Sequence, residues 1–171
     1  SQWYQLIEVY KSFGFNVHVL EGVAGLPDMV FCANQSFPYL DAIGNYNAVL
    51  SNMFNDTRNE EVPYINSFLN AHGYTTHRIA SRTMGYFFES MGDALWLPGH
   101  RFILGGYGFR TDKRIYNFLS EITNAPIAIF ELKKLYRAKK IGICNNMGKQ
   151  PPNGFTPASL KSFICSIENC C

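Results

Sequence analysis

A repeat with a period of roughly 50 to 57 residues organises most of this 171-residue chain. Apolar residues at helical spacing predict helices over Gln2–Phe13, Asn59–Ala71 and Thr111–Ile122. Gly14 and Gly73 follow the first two helices at the position where glycine commonly ends a helix. After each helix, alternating or continuous apolar runs predict strands. One helix–strand–strand–strand unit used repeatedly predicts a modular α/β protein.

The strands were assigned from period-two alternation and from short apolar runs. Arg58 and Arg110 each lie between the end of a predicted strand and the start of a helix, so they occupy equivalent places in the repeat. The predicted strands are Phe15–Leu20, Asp28–Ala33, Asn47–Asn52, Tyr74–Ala80, one strand within Tyr86–Leu97, Arg101–Leu104 and Ala125–Leu132.

The pattern fails after Leu132. Lys133–Lys140 is basic, and Asn145–Pro157 is rich in Asn, Gly and Pro, a composition typical of loops or disorder. Ser159–Ile167 fits either a short helix or a strand. We therefore predict one domain over residues 1–132 and a divergent tail, loop or disordered, over residues 133–171.

Composition limits the partners and the compartment. A net charge of +2 with scattered basic residues does not favour a nucleic-acid partner. The longest apolar runs, such as Ala125–Phe130, are far shorter than the ~20 residues of a spanning helix, so no membrane partner is predicted. An odd number of cysteines does not suggest a disulfide framework, which favours a reduced, cytoplasmic protein. The cysteines are Cys32, Cys144, Cys165, Cys170 and Cys171.

Three carboxylates in the patterned region are the strongest candidates for chemistry. Asp28 stands at the head of a predicted strand, and Glu89 and Asp93 lie in a largely apolar stretch. A carboxylate in such a place needs a cationic partner or a ligand, and Arg58 and Arg110 are the candidates. Glu89 can match a guanidinium bidentately. The alternative is structural, with the Asp side chains accepting hydrogen bonds from loop amides.

Other motifs carry weaker signals. Gly105-Gly106-Tyr107-Gly108 lacks the spacing of nucleotide-binding loops and is interpreted as a glycine turn that delivers Arg110. Cys32 lies within a predicted strand and is interpreted as an inert buried thiol. The histidines lack metal-ligand spacing, so no metal site is predicted. They are His18, His72, His77 and His100.

Four ordered segments together resemble the amidinotransferase family, which includes dimethylarginine dimethylaminohydrolase, arginine deiminase and glycine amidinotransferase. They are Leu26–Asn34, Arg58–Glu61, Phe88–Asp93 and Gly105–Asp112. The resemblance implies a pentein-type α/β-propeller built of ββαβ modules, with about three of the family's five modules present. It also implies a small arginine-like substrate, no cofactor and no metal.

The resemblance assigns roles to several residues. Glu89 resembles the glutamate that binds the guanidinium, and Arg58 and Arg110 resemble the arginines that hold the substrate carboxylate. Asp93 resembles an aspartate with a structural role. The resemblance implies three further substrate-site residues. They are Asp28 at the mouth of the site, Leu26, which resembles a lid-loop residue, and Asn34, where dimethylaminohydrolases have Asp.

The family's chemistry uses a cysteine thiolate that attacks the guanidinium carbon and a histidine that transfers protons. Neither group is found at its expected place, because Lys133–Lys139 contains no histidine and Cys170 and Cys171 are terminal. The sequence therefore predicts a fragment of a guanidino-group-modifying hydrolase or transferase that is inactive alone. The fragment is expected to be truncated, with a tail from alternative splicing, gene-model error or frameshift.

Two alternatives remain open. One is a non-catalytic pentein-fold binding module for an arginine-like ligand or a macromolecular partner. The other is an unfoldable product with exposed module faces. The oligomeric state is left open.

Overall fold

The computed structural model describes residues 2–132 and the backbone of a strand at 162–165. Three short strand groups and four helices make up this part, and two 3₁₀ turns precede strands. In chain order the elements are α1 (Gln2–Ser12), β1 (Asn16–Val19), the first 3₁₀ turn (Pro27–Phe31), β2 (Ser36–Leu40), β3 (Tyr46–Leu50), α2 (Asp56–Asn59), α3 (Val62–Ala71), β4 (Thr75–Arg78), the second 3₁₀ turn (Ser90–Gly92), β5 (Ala94–Trp96), β6 (Ile103–Tyr107), α4 (Ile115–Thr123), β7 (Ile127–Glu131) and β8 (Ser162–Cys165).

Two sheets share one topology. In the first, β2 and β3 pair antiparallel, and β4 returns parallel to β3 after α3. In the second, β5 and β6 pair antiparallel, and β7 returns parallel to β6 after α4. Each sheet with its helix is a ββαβ module, called here the first module (residues 36–78) and the second module (residues 94–131). The predicted repeat is therefore confirmed, although each unit begins with its two antiparallel strands rather than with its helix.

The number of modules differs from the prediction of three. The described residues contain two complete modules, while α1 and β1 supply only a helix and the strand that follows it. Strand β8 runs parallel to β1, with Asn16 opposite Ser162 and Val19 opposite Cys165. In each complete module the middle strand likewise runs parallel to the last one, as β3 does to β4 and β6 to β7. Of the predicted tail, only 162–165 is described, and the remainder lies outside the described residues.

The largest local error concerns Asp28–Ala33, predicted as a strand. Most of them belong to the first 3₁₀ turn, Pro27–Phe31. Cys32, the residue after the turn, has a left-handed φ of 43°. Asn34 follows with a φ of 75°. Proline presets the φ of a tight turn, and left-handed residues interrupt a strand, so three apolar residues could not form one here.

The strand nearest to that segment is β2, which the sequence analysis missed because it contains Pro38. Among the strands that the structure describes, β3 is the only neighbour to which β2 is hydrogen-bonded. Proline is tolerated on such an edge strand, since its missing N–H breaks no interior ladder.

Helices α3 and α4 bury most of the faces that their apolar spacing predicts, whereas on α1 Ile7 is buried and Leu6 is 47% exposed. Val62, Ile65 and Leu69 of α3 are buried. On α4, the apolar spacing of the sequence points Ile115, Phe118 and Leu119 inward. Ile115 and Leu119 are buried, but Phe118 is 40% exposed and Tyr116 is buried instead. The spacing of apolar residues missed Tyr116 because a tyrosine becomes a core residue only when its hydroxyl finds a partner.

Tyr116 fits because Gly105 lies beneath it. A Cβ placed on Gly105 would lie 2.4 Å from a ring carbon of Tyr116. The hydroxyl donates to the carbonyl of Gly106 at 2.6 Å and lies 3.0 Å from the carbonyl of Asp93. The two glycines, interpreted from sequence as part of a turn, therefore lie within β6, and Gly105 makes room for a ring whose hydroxyl contacts the backbone of Asp93.

Gly105→Ala is expected to lower the free energy of unfolding by about 1–3 kcal/mol, because the added methyl overpacks the Tyr116 ring. Urea unfolding of the variant and of the parent chain measures this. The cost should shrink when the same substitution is made together with Tyr116→Leu, which removes the ring. An equal cost in both backgrounds would show that the ring is not what excludes a side chain at Gly105.

Candidate functional site

The predicted site residues gather at one edge of the two modules. In an antiparallel pair, the carboxyl end of the second strand lies beside the amino end of the first. Arg58 follows β3 and Arg110 follows β6, whereas Glu89 and Asp93 precede β5. Asn52, just after β3, forms an antiparallel bridge with Phe88, through amide–carbonyl distances of 3.0 and 3.2 Å. This bridge places the edges of the two modules side by side.

Arg110 is held by two carboxylates. Its Nη2 donates to Oδ1 of Asp93 at 2.7 Å, and its Nη1 lies 3.5 Å from Oε2 of Glu89. The Arg110 side chain is 36% exposed, while those of Glu89 and Asp93 are 4% and 1% exposed. The predicted pairing of these carboxylates with an arginine is therefore confirmed for Arg110. A guanidinium presented to solvent above two buried carboxylates is suited to binding an anion.

Hydrogen bonds fix the two carboxylates in place. Oγ1 of Thr111 donates to Oδ2 of Asp93 at 2.7 Å and accepts the Glu89 amide at 3.1 Å. Oε1 of Glu89 accepts the amide of Phe54 at 3.0 Å, which reaches the cluster from the first module. Burial disfavours a charge unless donors satisfy it, and here backbone and hydroxyl donors do so. From the sequence, Thr111 is only the first residue of a predicted helix, so this role was missed.

Arg58 has a partner that the sequence analysis did not name. Its Nε lies 3.0 Å from Oε1 of Glu61 and its Nη2 donates to the carbonyl of Ala33 at 2.7 Å. The expected partner was one of the candidate carboxylates, of which Asp28 is the nearest in the chain. Glu61 stands three residues after Arg58, between α2 and α3. Side chains three residues apart on a helix are neighbours, so this spacing is the sequence feature that could have predicted the pair.

Glu61 is fully buried, and Nε2 of Gln35 donates to its Oε2 at 2.5 Å. Burial raises the pKa of Glu61, and the negative charge of Asp28 raises it further, while the hydrogen bond from Gln35 and the charge of Arg58 act in the opposite direction. Asp28 is therefore within electrostatic reach of this pair. Gln35 was also missed, because a neutral amide carries no sequence signal of its own.

Asn34 lies between the two modules. Its carbonyl accepts the hydroxyl of Ser51, and its side-chain amide packs on the backbone of Gly92, where an added Cβ would lie 2.7 Å from Nδ2. The hydroxyl of Ser51 also contacts that of Ser90, at 2.5 Å. Asn34 thus contacts the turn that follows Glu89.

Two further expectations can be compared with the structure. Leu26 is buried in the loop before the first 3₁₀ turn. Cys32 was predicted to be a buried thiol within a strand, and this is wrong. It ends the turn in a left-handed conformation and is half-buried.

Three of the described histidines, His18, His72 and His77, have contacts outside the arginine–carboxylate clusters. The rings of His18 and His72 meet at 4.3 Å between centroids, and Nε2 of His77 lies 2.9 Å from Oδ1 of Asn47. Within residues 2–132, no group of three or more His, Cys, Asp and Glu side chains could hold a metal ion. In the same part of the chain, no helix is long and apolar enough to cross a membrane.

Comparison with known proteins shows which enzymes this chain is similar to. The N(G),N(G)-dimethylarginine dimethylaminohydrolase of Mycobacterium tuberculosis is 33% identical over 132 residues, which are 77% of this chain and 40% of that enzyme. The bifunctional arginine dihydrolase/ornithine cyclodeaminase ArgZ of Synechocystis is 28% identical over 132 residues, which are 77% of this chain and 17% of ArgZ. The chain is a pentein-fold homologue of these guanidino-modifying hydrolases.

Solved structures agree with this homology. The N-terminal domain of ArgZ bound to its substrate superimposes with a TM-score of 0.66 at 28% identity, covering 78% of this chain and 46% of that one. A dimethylarginine dimethylaminohydrolase adduct with S-methyl-L-thiocitrulline gives a TM-score of 0.61 at 15% identity, covering 78% and 50%, and so shows the fold alone. A scan against models of protein families gives no match.

This pentein homologue spans 40% or less of the length of these curated relatives. The resemblance inferred from the four sequence segments is thereby confirmed for the N-terminal part. The α/β pentein fold is confirmed as well, although the described residues contain no closed ring of sheets.

Proposed function

We propose that this chain forms the substrate-binding half of a guanidino-group-modifying hydrolase site, with an arginine-like small molecule as its ligand. The observation that supports this best is the cluster in which Arg110 lies over the buried carboxylates of Glu89 and Asp93. An amino acid with a guanidino side chain carries a planar cation at one end and a carboxylate at the other. This edge of the modules offers groups of both complementary signs.

Glu89 is assigned to the guanidinium of the ligand. Its Oε1 is occupied by the amide of Phe54, and within residues 2–132 its Oε2 has only a long contact of 3.5 Å with Arg110. That oxygen can therefore accept a hydrogen bond from a second guanidinium. A charge-assisted bond of this kind is roughly twice as strong as a neutral one.

Arg58 and Arg110 are assigned to the ligand carboxylate. Both are partly exposed, and both are anchored from below by buried acids, so that each presents its cation in a fixed direction. Asp93 serves to hold Arg110. Asn34, Asp28 and Leu26 are assigned to the surroundings of the ligand, and a neutral Asn34 removes one negative charge that dimethylaminohydrolases offer to the guanidinium.

A hydrolase of this type also needs a nucleophile and a proton-transferring group. We assign these to parts of the protein outside residues 2–132, since His18, His72 and His77 are engaged elsewhere and His100 lies in the loop between β5 and β6, at the end of the strands away from Arg110. Binding without turnover is therefore the expected behaviour of this chain alone. The solved structures that are similar to this chain include a variant of another protein, AgrE, in complex with L-arginine.

Isothermal titration of the purified 171-residue chain with L-arginine tests the proposal, with L-lysine as the control ligand. Arginine should bind and lysine should bind at least about tenfold more weakly, because an ammonium cannot match a carboxylate bidentately. Citrulline formation should be absent for this chain and present for a version extended to the length of its relatives. Equal binding of both amino acids, or no binding of arginine, would refute the assignment.

A further inference from the structure

The two modules can be aligned residue by residue through their strand register. Ser36 is opposite Leu50 at the start of β2, and Ala94 is opposite Gly105 at the start of β5. Ser36 therefore corresponds to Ala94, and Gln35 corresponds to Asp93. The backbone supports this alignment, because Cys32 and Ser90, the residues three positions earlier, both adopt left-handed φ values, of 43° and 45°.

Asp93 and Gln35 occupy corresponding positions but differ in how they contact the arginine of their module. In the second module, Asp93 contacts Arg110 directly at 2.7 Å. In the first module, the same position carries Gln35, which is neutral and 3% exposed and cannot form an ion pair with Arg58. Gln35 instead donates to Oε2 of Glu61 at 2.5 Å.

Glu61 supplies the charge that Gln35 lacks. Glu61 is the residue before α3, and Oε1 of its carboxylate lies 3.0 Å from Nε of Arg58. With Nη2 of Arg58 on the carbonyl of Ala33, two of its three nitrogens are engaged. The third nitrogen, Nη1, has no hydrogen-bond partner in the part of the chain that the structure describes, which leaves it for a ligand.

We propose that Glu61, held by Gln35, is a positioning residue that fixes Arg58 for the carboxylate of the ligand. The pair is the first module's counterpart of Asp93 beneath Arg110. This inference rests on the proposed function and extends it, since it separates the residues that recognise the carboxylate end of the ligand from those that recognise the guanidinium end.

The experiment compares two ligands and three variants of the 171-residue chain by isothermal titration. The ligands are L-arginine and agmatine, which is arginine without its carboxylate. The variants are Glu61→Gln, Gln35→Glu and the exchange that combines both. The exchange keeps one carboxylate and one amide in the same hydrogen-bonded pair, and moves the charge to the position that the second module uses. Glu121→Gln on α4, which is exposed, is the matched control.

Glu61→Gln is expected to weaken arginine binding by about tenfold or more, as for loss of a hydrogen bond to a charged group. Agmatine binding should change by less than about twofold. Gln35→Glu places two acids together and should also weaken arginine binding, while the exchange should recover most of the affinity. Circular dichroism confirms that each variant is folded, and Glu121→Gln should match the parent chain.

Equal losses for arginine and agmatine in a folded Glu61→Gln variant would overturn the positioning role, since a general disturbance of the site affects both ligands. A folded exchange variant that recovers no arginine affinity would overturn it as well. If the parent chain binds neither ligand, the proposed function fails and this inference fails with it. That outcome is distinguishable because it appears before any substitution is made.

Discussion

Replacing Phe88 by alanine is expected to lower the free energy of unfolding by about 3–5 kcal/mol, the range for removing a fully buried aromatic side chain. Phe88 is completely buried in the larger core cluster, which joins residues of both modules. Its backbone also forms the bridge with Asn52 that connects the two edges. The lost ring would therefore leave a cavity where the first module meets the second.

Urea unfolding followed by circular dichroism measures this effect. Phe118→Ala is the matched control, because Phe118 is 40% exposed and the same atoms are removed. Its cost should stay below about 1 kcal/mol, as for most surface substitutions. Similar costs for the two variants would mean that the two modules do not share a core at Phe88.

Glu89→Gln is expected to weaken the binding of L-arginine about 10- to 100-fold with little change in stability. The substitution keeps the shape of the side chain and removes its charge, and a hydrogen bond between charged groups contributes about 1.5–3 kcal/mol. Arg110 retains its contact with Asp93 at 2.7 Å, so the arginine should remain in place. The loss should therefore be specific to the guanidinium end of the ligand.

Titration with arginine and with agmatine separates this prediction from the one made for Glu61. Both ligands carry a guanidinium, so both should lose affinity in Glu89→Gln, whereas Glu61→Gln should affect arginine alone. Thermal unfolding of Glu89→Gln checks that the fold is retained. Unchanged affinity for both ligands in a folded variant would remove Glu89 from the site.

The repeat was readable from the sequence because it depends on local periodicity. Apolar spacing identified α3 and α4, and the equivalent places of Arg58 and Arg110 followed from their position between a strand and a helix. The motif around Glu89 and Asp93 was predictable for a related reason. Carboxylates in an apolar stretch need partners, and an arginine was the available one.

Local periodicity failed where backbone conformation decided the structure. The run Met29-Val30-Phe31 suggests a strand, but Pro27 and the left-handed residues Cys32 and Asn34 make it a turn. Pro38 suggests a break, yet it lies in a strand because β2 is an edge. In each case the outcome depended on which neighbours the segment acquired, and a pattern of residue types does not specify neighbours.

The sequence by itself determined the modular α/β architecture, the family resemblance and the ion pairing at Arg110. Only the tertiary structure revealed that Glu61 and Gln35 hold Arg58, that Thr111 ties Asp93 to Glu89, and that Tyr116 is buried over Gly105. Gln35 and Glu61 are 26 positions apart, and Tyr116 meets Gly105 only where α4 packs on β6. Hydrogen bonds and close packing between distant positions depend on distances that the folded chain creates, so they become visible only in the fold.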